Sequence, residues 1–330
     1  MHTYYKRKRF LILFILIAVF SFSFLLLSCD RTEEKVKENF NKTGLIVMFL
    51  DVGQGDSTLI RLPDNKVLLF DTGASSNKNK EKLLLNLKLV NNKIDYLILS
   101  HPDKEHYGNT VEIIKNCTIK KAYIPFILDD KVYPDFSSVI NLLKEKETEV
   151  VISTTQTNIS NGEYEIVFLS PDRYGKNSPY SDFNALTIPS DRLADRVSPI
   201  IYLEYKGVRF ILTADADKSV EELVLTNYSL GLYNHSKSNG EKVVLENIDF
   251  YKLSSHGGEG SNSLNFIKLL SPKNAIVSVG SRNSQSYPST IALSNLYDAN
   301  KEYNLYRTDR DKTIIINVDE NGKYNVSFEQ

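Results

Sequence analysis

An apolar run that ends in a cluster of metal-capable side chains constrains this chain more than any other feature. Residues 96–99 are apolar and predict a buried strand. Two imidazoles and two carboxylates follow within six residues: His101, Asp103, Glu105 and His106. Parallel α/β sheets place their sites at such strand ends. The mixture of nitrogen and oxygen ligands favours Zn²⁺ or Mn²⁺ over Ca²⁺, which prefers oxygen alone. The alternative interpretation is a solvated loop that is merely rich in His and acidic residues.

Two further apolar runs end in possible ligands. Residues 210–212 lead to Asp215, and residues 250–253 lead to His256. Histidine is scarce here, since the whole chain holds five: His2, His101, His106, His235 and His256. Three predicted strands therefore deliver ligands at their ends. His235 falls in a polar stretch, residues 227–242, which is interpreted as a surface insertion.

The N-terminus has the pattern of an export signal. Residues 6–9 are basic, residues 10–27 carry no charge, and Leu26-Leu27-Ser28-Cys29 resembles a bacterial lipobox. Residues 1–29 are therefore predicted to be a lipoprotein signal peptide, with Cys29 as the lipidated residue. The alternative is an uncleaved anchor, because eighteen apolar residues can just span a bilayer. Both interpretations predict an exported domain that is anchored to the bacterial cell membrane.

The rest of the chain divides into a linker and one large domain. Residues 30–43 are dense in Glu, Lys and Asn and predict a charged, solvated linker. Residues 44–330 are long enough to bury a large core. When the four basic residues at 6–9 are removed from the 40 Lys and Arg, 36 remain against 41 Asp and Glu. A net charge of about −5 argues against a strong, non-specific grip on nucleic acid.

Strand and helix patterns alternate through this domain. Strands are predicted at residues 45–51, 57–62, 66–70, 94–100, 121–124, 150–153, 199–205, 208–212, 250–253, 275–279, 313–318 and 324–328. Helices are predicted at residues 80–89, from 109 with Asn109 as N-cap, and at 137–146, 219–225, 262–270 and 288–298. Residues 171–196 are polar and predict a loop or lid. This order favours an α/β (α+β) fold in which two mixed sheets face each other with helices outside, an αββα layering.

Six motifs, in order, resemble the metallo-β-lactamase superfamily and, more narrowly, the hydrolase-like domain of ComEC-type competence proteins. They are FLDVGQGD at 49–56, FDTG at 70–73, SHPDKEHYG at 100–108, LTADA at 212–216, SSHG at 254–257 and YRTD at 306–309. The resemblance covers residues 45 to about 328. It implies a four-layer αββα metallo-β-lactamase-like sandwich.

The resemblance also implies a ligand set. The superfamily pattern His-x-His-x-Asp-His is altered here, since Asp103 replaces the second His and Glu105 replaces the Asp. The first of two ions would be held by His101, Asp103 and Asp215. The second would be held by Glu105, His106, Asp215 and His256. A further histidine ligand of many relatives has no counterpart between His106 and His235, which leaves Asp195 and Asn184 as candidates.

The remaining site roles follow from the same resemblance. Asp71 is expected to orient the metal-binding loop, with Gly73 and Asp56 in further supporting positions. Glu105 or Asp215 would orient the attacking water. One or two ions of Zn²⁺ or Mn²⁺ are expected as cofactor.

The substrate implied by the resemblance is a phosphodiester, with single-stranded DNA as one candidate partner. Two other interpretations stay open. The first is a metal-poor binding or scaffold lipoprotein, which is motivated by the departure of Glu105 and Ser255 from the superfamily pattern. The second is a membrane-tethered partner that holds a strand or polymer without cleaving it.

Overall fold

Two β-sheets pack against each other in the computed structural model, which describes residues 43–125, 132–155, 157–172 and 195–329. The predicted signal peptide with Cys29, nearly all of the linker, Asn184 and most of the 171–196 loop lie outside these residues. Within the described part, no helix is long and apolar enough to cross a membrane.

The strands supply both sheets. In chain order they are β1 Leu45–Phe49, β2 Thr58–Arg61, β3 Val67–Phe70, β4 Lys93–Ile98, β5 Thr118–Ile124, β6 Glu149–Ile152, β7 Asn158–Ser160, β8 Tyr164–Phe168, β9 Ile201–Tyr205, β10 Val208–Leu212, β11 Phe250–Lys252, β12 Asn274–Val277, β13 Asn304–Arg307, β14 Ile314–Val318 and β15 Tyr324–Phe328. The first sheet has the order β15-β14-β1-β2-β3-β4-β5-β6, and the second has the order β13-β12-β11-β10-β9-β8-β7. Strands β3 to β6 are parallel, and so are β10 to β13.

Helices follow many of the parallel strands. They are α1 Asn77–Lys88, α2 Lys104–Tyr107, α3 Thr110–Asn116, α4 Pro134–Glu145, α5 Lys218–Ser229, α6 Leu264–Leu270, α7 Thr290–Ala299 and α8 Thr308–Asp311, with a 3₁₀ turn at Ser254–Gly257. Helices α1, α3 and α4 bury Leu87, Ile113 and Leu143. Because βαβ connections keep one hand, such helices cover one face of a parallel sheet and leave the other face for the partner sheet.

Burial on both faces explains why the strands are almost continuously apolar. Phe49 of the first sheet and Phe210 of the second belong to one buried cluster between the sheets. On the other face of β10, Ile211 belongs to a second cluster with Val224 of α5 and Phe266 of α6. Two mixed sheets with outer helices confirm the predicted αββα fold.

The structure differs from the local predictions in three places. Strands β7, β8 and β13 form where the sequence analysis predicts no strand. Asn109 does precede α3, but its side chain makes no capping hydrogen bond. Its amide instead donates to the carbonyls of Thr72 at 2.8 Å and Ala74 at 3.0 Å, so it secures the loop after β3. The stretch at 227–242 is more than a surface insertion, since Tyr233 and Lys237 are buried and Lys237 pairs with Glu204 on β9.

Candidate metal centre

The carboxyl ends of four parallel strands supply the polar side chains of the site. Asp71 follows β3, His101 follows β4, Asp215 lies just after β10, and His256 lies just after β11. Strands β3 and β4 are parallel in the first sheet, and β10 and β11 are parallel in the second. The carboxyl ends of all four lie at the same edge of the fold. The site therefore spans both sheets, as expected for a crevice at strand ends.

One group of possible ligands contains Glu105, His106, Asp215 and His256. One ligand atom from each lies within 4.8 Å of the others. His106 Nε2 is 3.3 Å from Asp215 Oδ1, and His256 Nε2 is 3.2 Å from Glu105 Oε1. All except Glu105 are buried, and the Glu105 side chain is 32% exposed. These are the four residues that the resemblance implied for the second ion.

A second group contains His101, Asp195 and Asp215, so Asp215 belongs to both. Asp103, the residue expected here, lies outside both groups. Its Oδ2 is 3.6 Å from His101 Nε2, but its side chain is 43% exposed. Asp195, which the resemblance left as a candidate for a further ligand position, is the third member of this group. It comes from a polar stretch and follows no strand, so the sequence indicates it only through the lack of a histidine between His106 and His235.

Hydrogen bonds on the far side of each ring fix the three imidazoles. His106 Nδ1 is 2.8 Å from Asp71 Oδ2, and His256 Nδ1 is 2.8 Å from the Ser278 carbonyl oxygen. His101 Nδ1 is 3.1 Å from the Ser198 hydroxyl. Metal-binding histidines use such outer partners to fix the tautomer. Each Nε2 is therefore left as the ligand atom.

Unpartnered buried atoms converge on the same point. His101 Nε2, His106 Nε2 and Asp215 Oδ1 are buried, and none has a hydrogen-bond partner among the described residues. Although His106 Nε2 and Asp215 Oδ1 are only 3.3 Å apart, they are not aligned for a hydrogen bond. Buried polar atoms without partners are costly and rare. Nitrogen and carboxylate oxygen are ligands that Zn²⁺ and Mn²⁺ accept, so the residues fit such ions.

Crowded negative charge supports the same conclusion. Burial alone would raise the pKa of Asp215, but His106 and His256 hold it well below its usual value. Burial lowers the pKa of His106, yet Asp215 and Asp71 raise it well above the usual value. Burial and the neighbouring Asp215 raise the pKa of Asp195 to about 7. Without an ion, protons on His106 and His256 offset the charge of Asp215, and a divalent cation can take their place.

Comparisons with known proteins show what the sequence and the fold resemble. Residues 50–162 match the model of the metallo-beta-lactamase superfamily. Over these residues the chain resembles the metallo-β-lactamase superfamily. It is 25% identical over 288 residues to ComE operon protein 3 of Bacillus subtilis. That match covers 81% of this chain but 32% of the relative, so the chain corresponds to about a third of that protein.

One solved structure shares this fold at low identity, and a second has a lower TM-score. A variant of CmlA beta-hydroxylase is 14% identical, with a TM-score of 0.50 over 83% of this chain and 54% of that one. CmlA comes from Streptomyces venezuelae. YhfI from Bacillus subtilis, a metallo-beta-lactamase fold protein, is 12% identical, with a TM-score of 0.48 over 86% of this chain and all of that one.

The loop after β3 supports the loop that carries His101, Glu105 and His106. Asp71 accepts hydrogen bonds from the backbone N–H of Ser100 at 2.8 Å and from its hydroxyl at 2.7 Å, in addition to holding His106. Gly73 has a φ of +71°, and a Cβ atom there would lie 2.9 Å from Cβ of Val52. Glycine is therefore required at this close approach.

A buried ion pair lies beneath the site and was not predicted. Lys252 Nζ donates to Asp56 Oδ2 at 2.8 Å, and both side chains are almost fully buried. The backbone N–H of Asp56 donates to the Glu105 carbonyl at 3.3 Å, while Asp56 Oδ1 is 3.5 Å from His256 Nδ1. Asp56 therefore contacts both ligand-bearing loops. The available signal was Lys252 itself, a charge inside an apolar strand that needs a partner.

His235 takes no part in the site. It is exposed, its Nδ1 lies 3.0 Å from the Gly240 carbonyl, and it belongs to neither ligand group.

Proposed function

We propose that this chain is a metal-dependent hydrolase that cleaves phosphodiester bonds at a bacterial membrane surface. The observation that carries the proposal is the shared carboxylate of Asp215, which belongs to both ligand groups. A carboxylate in that position can bridge two divalent ions. Such paired ions are used to clamp the attacking and leaving oxygens in displacement at phosphorus.

The residues divide into holding and orienting roles. His101 and Asp195 would hold one ion, and His106 and His256 the other, with Asp215 between them. When bound, the ions would lower the pKa of water and offset charge on the reacting phosphate. Glu105 is the most exposed member of its group, so its carboxylate can accept a hydrogen bond from incoming water.

The proposed substrate is a nucleic-acid-related phosphodiester, including single-stranded DNA. The sequence similarity to ComE operon protein 3 supports this class. After removal of the basic residues at 6–9, the 36 Lys and Arg against 41 Asp and Glu argue for modest affinity, because strong backbone binding needs many Lys and Arg contacts.

The test uses the full-length chain purified in detergent. Hydrolysis of bis-p-nitrophenyl phosphate and of single-stranded DNA is measured with Mn²⁺ or Zn²⁺. The wild type is expected to be active, and chelation and His101→Ala are each expected to abolish the activity. Equal background rates in wild type and His101→Ala, at saturating metal, would reject the hydrolase and favour a binding or scaffold protein.

The membrane tether is part of the same proposal. The lipobox-like sequence at 26–29 supports cleavage before Cys29 and acylation of its thiol. Mass spectrometry of the N-terminal peptide is expected to find an acylated Cys29. An intact Met1 would instead indicate an uncleaved anchor.

A further inference from the structure

The loop after β12 places an aromatic side chain beside the metal centre. The rings of Tyr287 and His256 have centroids 6.5 Å apart and an interplanar angle of 25°. Tyr287 is only partly buried, whereas His256 is fully buried. The phenol therefore lies between a ligand ring and solvent.

The fold holds this loop without using the phenol hydroxyl. The side-chain oxygen of Asn283 accepts the backbone N–H of Tyr287 at 2.6 Å, and the Asn283 amide donates to the Tyr287 carbonyl at 3.2 Å. The backbone N–H of Ser289 donates to the Gly257 carbonyl at 2.9 Å, which ties the loop to the turn that carries His256. No described residue makes a hydrogen bond to the Tyr287 hydroxyl. Its hydrogen-bonding capacity is therefore available to a ligand.

The hydroxyl end of the ring lies over the ligand turn. A Cβ atom built on Gly258 would lie 3.2 Å from Tyr287 Oη, so the absence of a side chain there leaves room for the phenol. A phenol hydroxyl is protonated at neutral pH, so it can act as a donor.

We infer that the Tyr287 hydroxyl donates a hydrogen bond to a phosphoryl oxygen of the substrate. A neutral hydroxyl donor at the rim of the site provides a favourable contact for an anionic oxygen. Hydrogen bonds from hydroxyl groups to charged oxygens are short and strong. The inference rests on the proposed function, because it names a substrate contact of that same site.

The experiment compares Tyr287→Phe with Tyr287→Ala in the full-length chain loaded with Mn²⁺. Tyr297→Phe is the control, since Tyr297 is an exposed tyrosine on α7 with 53% of its surface accessible. Three quantities are measured: bound metal, kcat/KM for bis-p-nitrophenyl phosphate, and the Kd of thymidine 5′-monophosphate by calorimetry. Tyr287→Phe is expected to lower kcat/KM and weaken binding by roughly tenfold or more, as for loss of a hydrogen bond to a charged group. The metal content of Tyr287→Phe is expected to equal that of the wild type. Tyr297→Phe is expected to match the wild type in all three quantities.

The outcomes separate this inference from the proposed function. If the wild type hydrolyses the substrate and Tyr287→Phe matches it in rate and affinity, the inference is overturned while the hydrolase stands. The inference is also overturned if Tyr287→Ala alone is impaired, which indicates a ring contact, or if Tyr287→Phe loses metal. If the wild type binds the nucleotide in a Tyr287-dependent way without hydrolysis, the inference stands and the proposed hydrolase fails. A wild type that neither binds nor cleaves overturns both.

Discussion

Replacing Lys252 with Met tests whether burial controls the strength of the ion pairs in this protein. The Lys252 and Asp56 side chains are 3% and 7% exposed, so Lys252→Met leaves the Asp56 carboxylate buried without its cation. Removing one partner of a buried pair costs about 3–5 kcal/mol of unfolding free energy. The Lys82–Asp51 pair is shorter, at 2.6 Å against 2.8 Å, but its side chains are 37% and 17% exposed. An exposed pair contributes about 0–1 kcal/mol.

The assay is urea unfolding of the full-length chain with chelator present, so that metal affinity does not enter the comparison. Lys252→Met is expected to lower the midpoint several times more than the matched control Lys82→Met. Adding Asp56→Asn to Lys252→Met should recover part of the loss, because the second change removes the stranded charge. Equal losses in the two single lysine variants would refute the reasoning, since burial would then have no effect on the strength of the pair.

Three further predictions concern ligands and pH. His106→Ala should remove most of the bound metal and His235→Ala none, as measured by metal analysis; unchanged metal in His106→Ala would contradict the assignment. Glu105→Asp shortens the side chain by roughly 1.5 Å and should raise turnover of bis-p-nitrophenyl phosphate, by up to about a hundredfold if the longer arm limits the rate; a slower variant would show that the site is built around Glu. Burial raises the pKa of Glu221 from 4.5 to about 7. The folded state therefore favours protonated Glu221, and this stabilisation is present below pH 4.5 and is lost as the pH rises to about 7. The stability difference between wild type and Glu221→Gln should change by about 3 kcal/mol over that range, and a difference that is flat with pH would contradict this.

Much of the candidate site could be anticipated because its ligands follow strong local signals. His101, Asp215 and His256 each come just after an apolar run, and the ends of parallel strands meet at one edge. Asp195 has no such signal, since only tertiary folding brings it to Asp215. Lys252 shows the same limit: its charge required a partner, but residue 56 is remote in sequence and its position depends on the packing of both sheets.

Secondary structure was missed where strands are short or where tertiary contacts override local preference. Strand β7 has three residues, and β13 has four that are exposed or only partly buried, so neither has a full apolar pattern. Strand β8, in contrast, is fully buried, and its pairing with β7 and β9 is the context that the linear pattern lacks. Asn109 illustrates the second case, because the carbonyls of the neighbouring loop compete for its amide.

The division of the candidate ligands between the two sheets makes the stability of the fold depend on bound metal. His101 and His106 extend from the first sheet, whereas Asp215 and His256 extend from the second. A bound ion therefore links the two halves of the sandwich, and its binding energy adds to the free energy that opposes their separation. A ligand at 100 times its Kd adds about 2.7 kcal/mol. The concentration of available metal would then set how firmly the two sheets are held together.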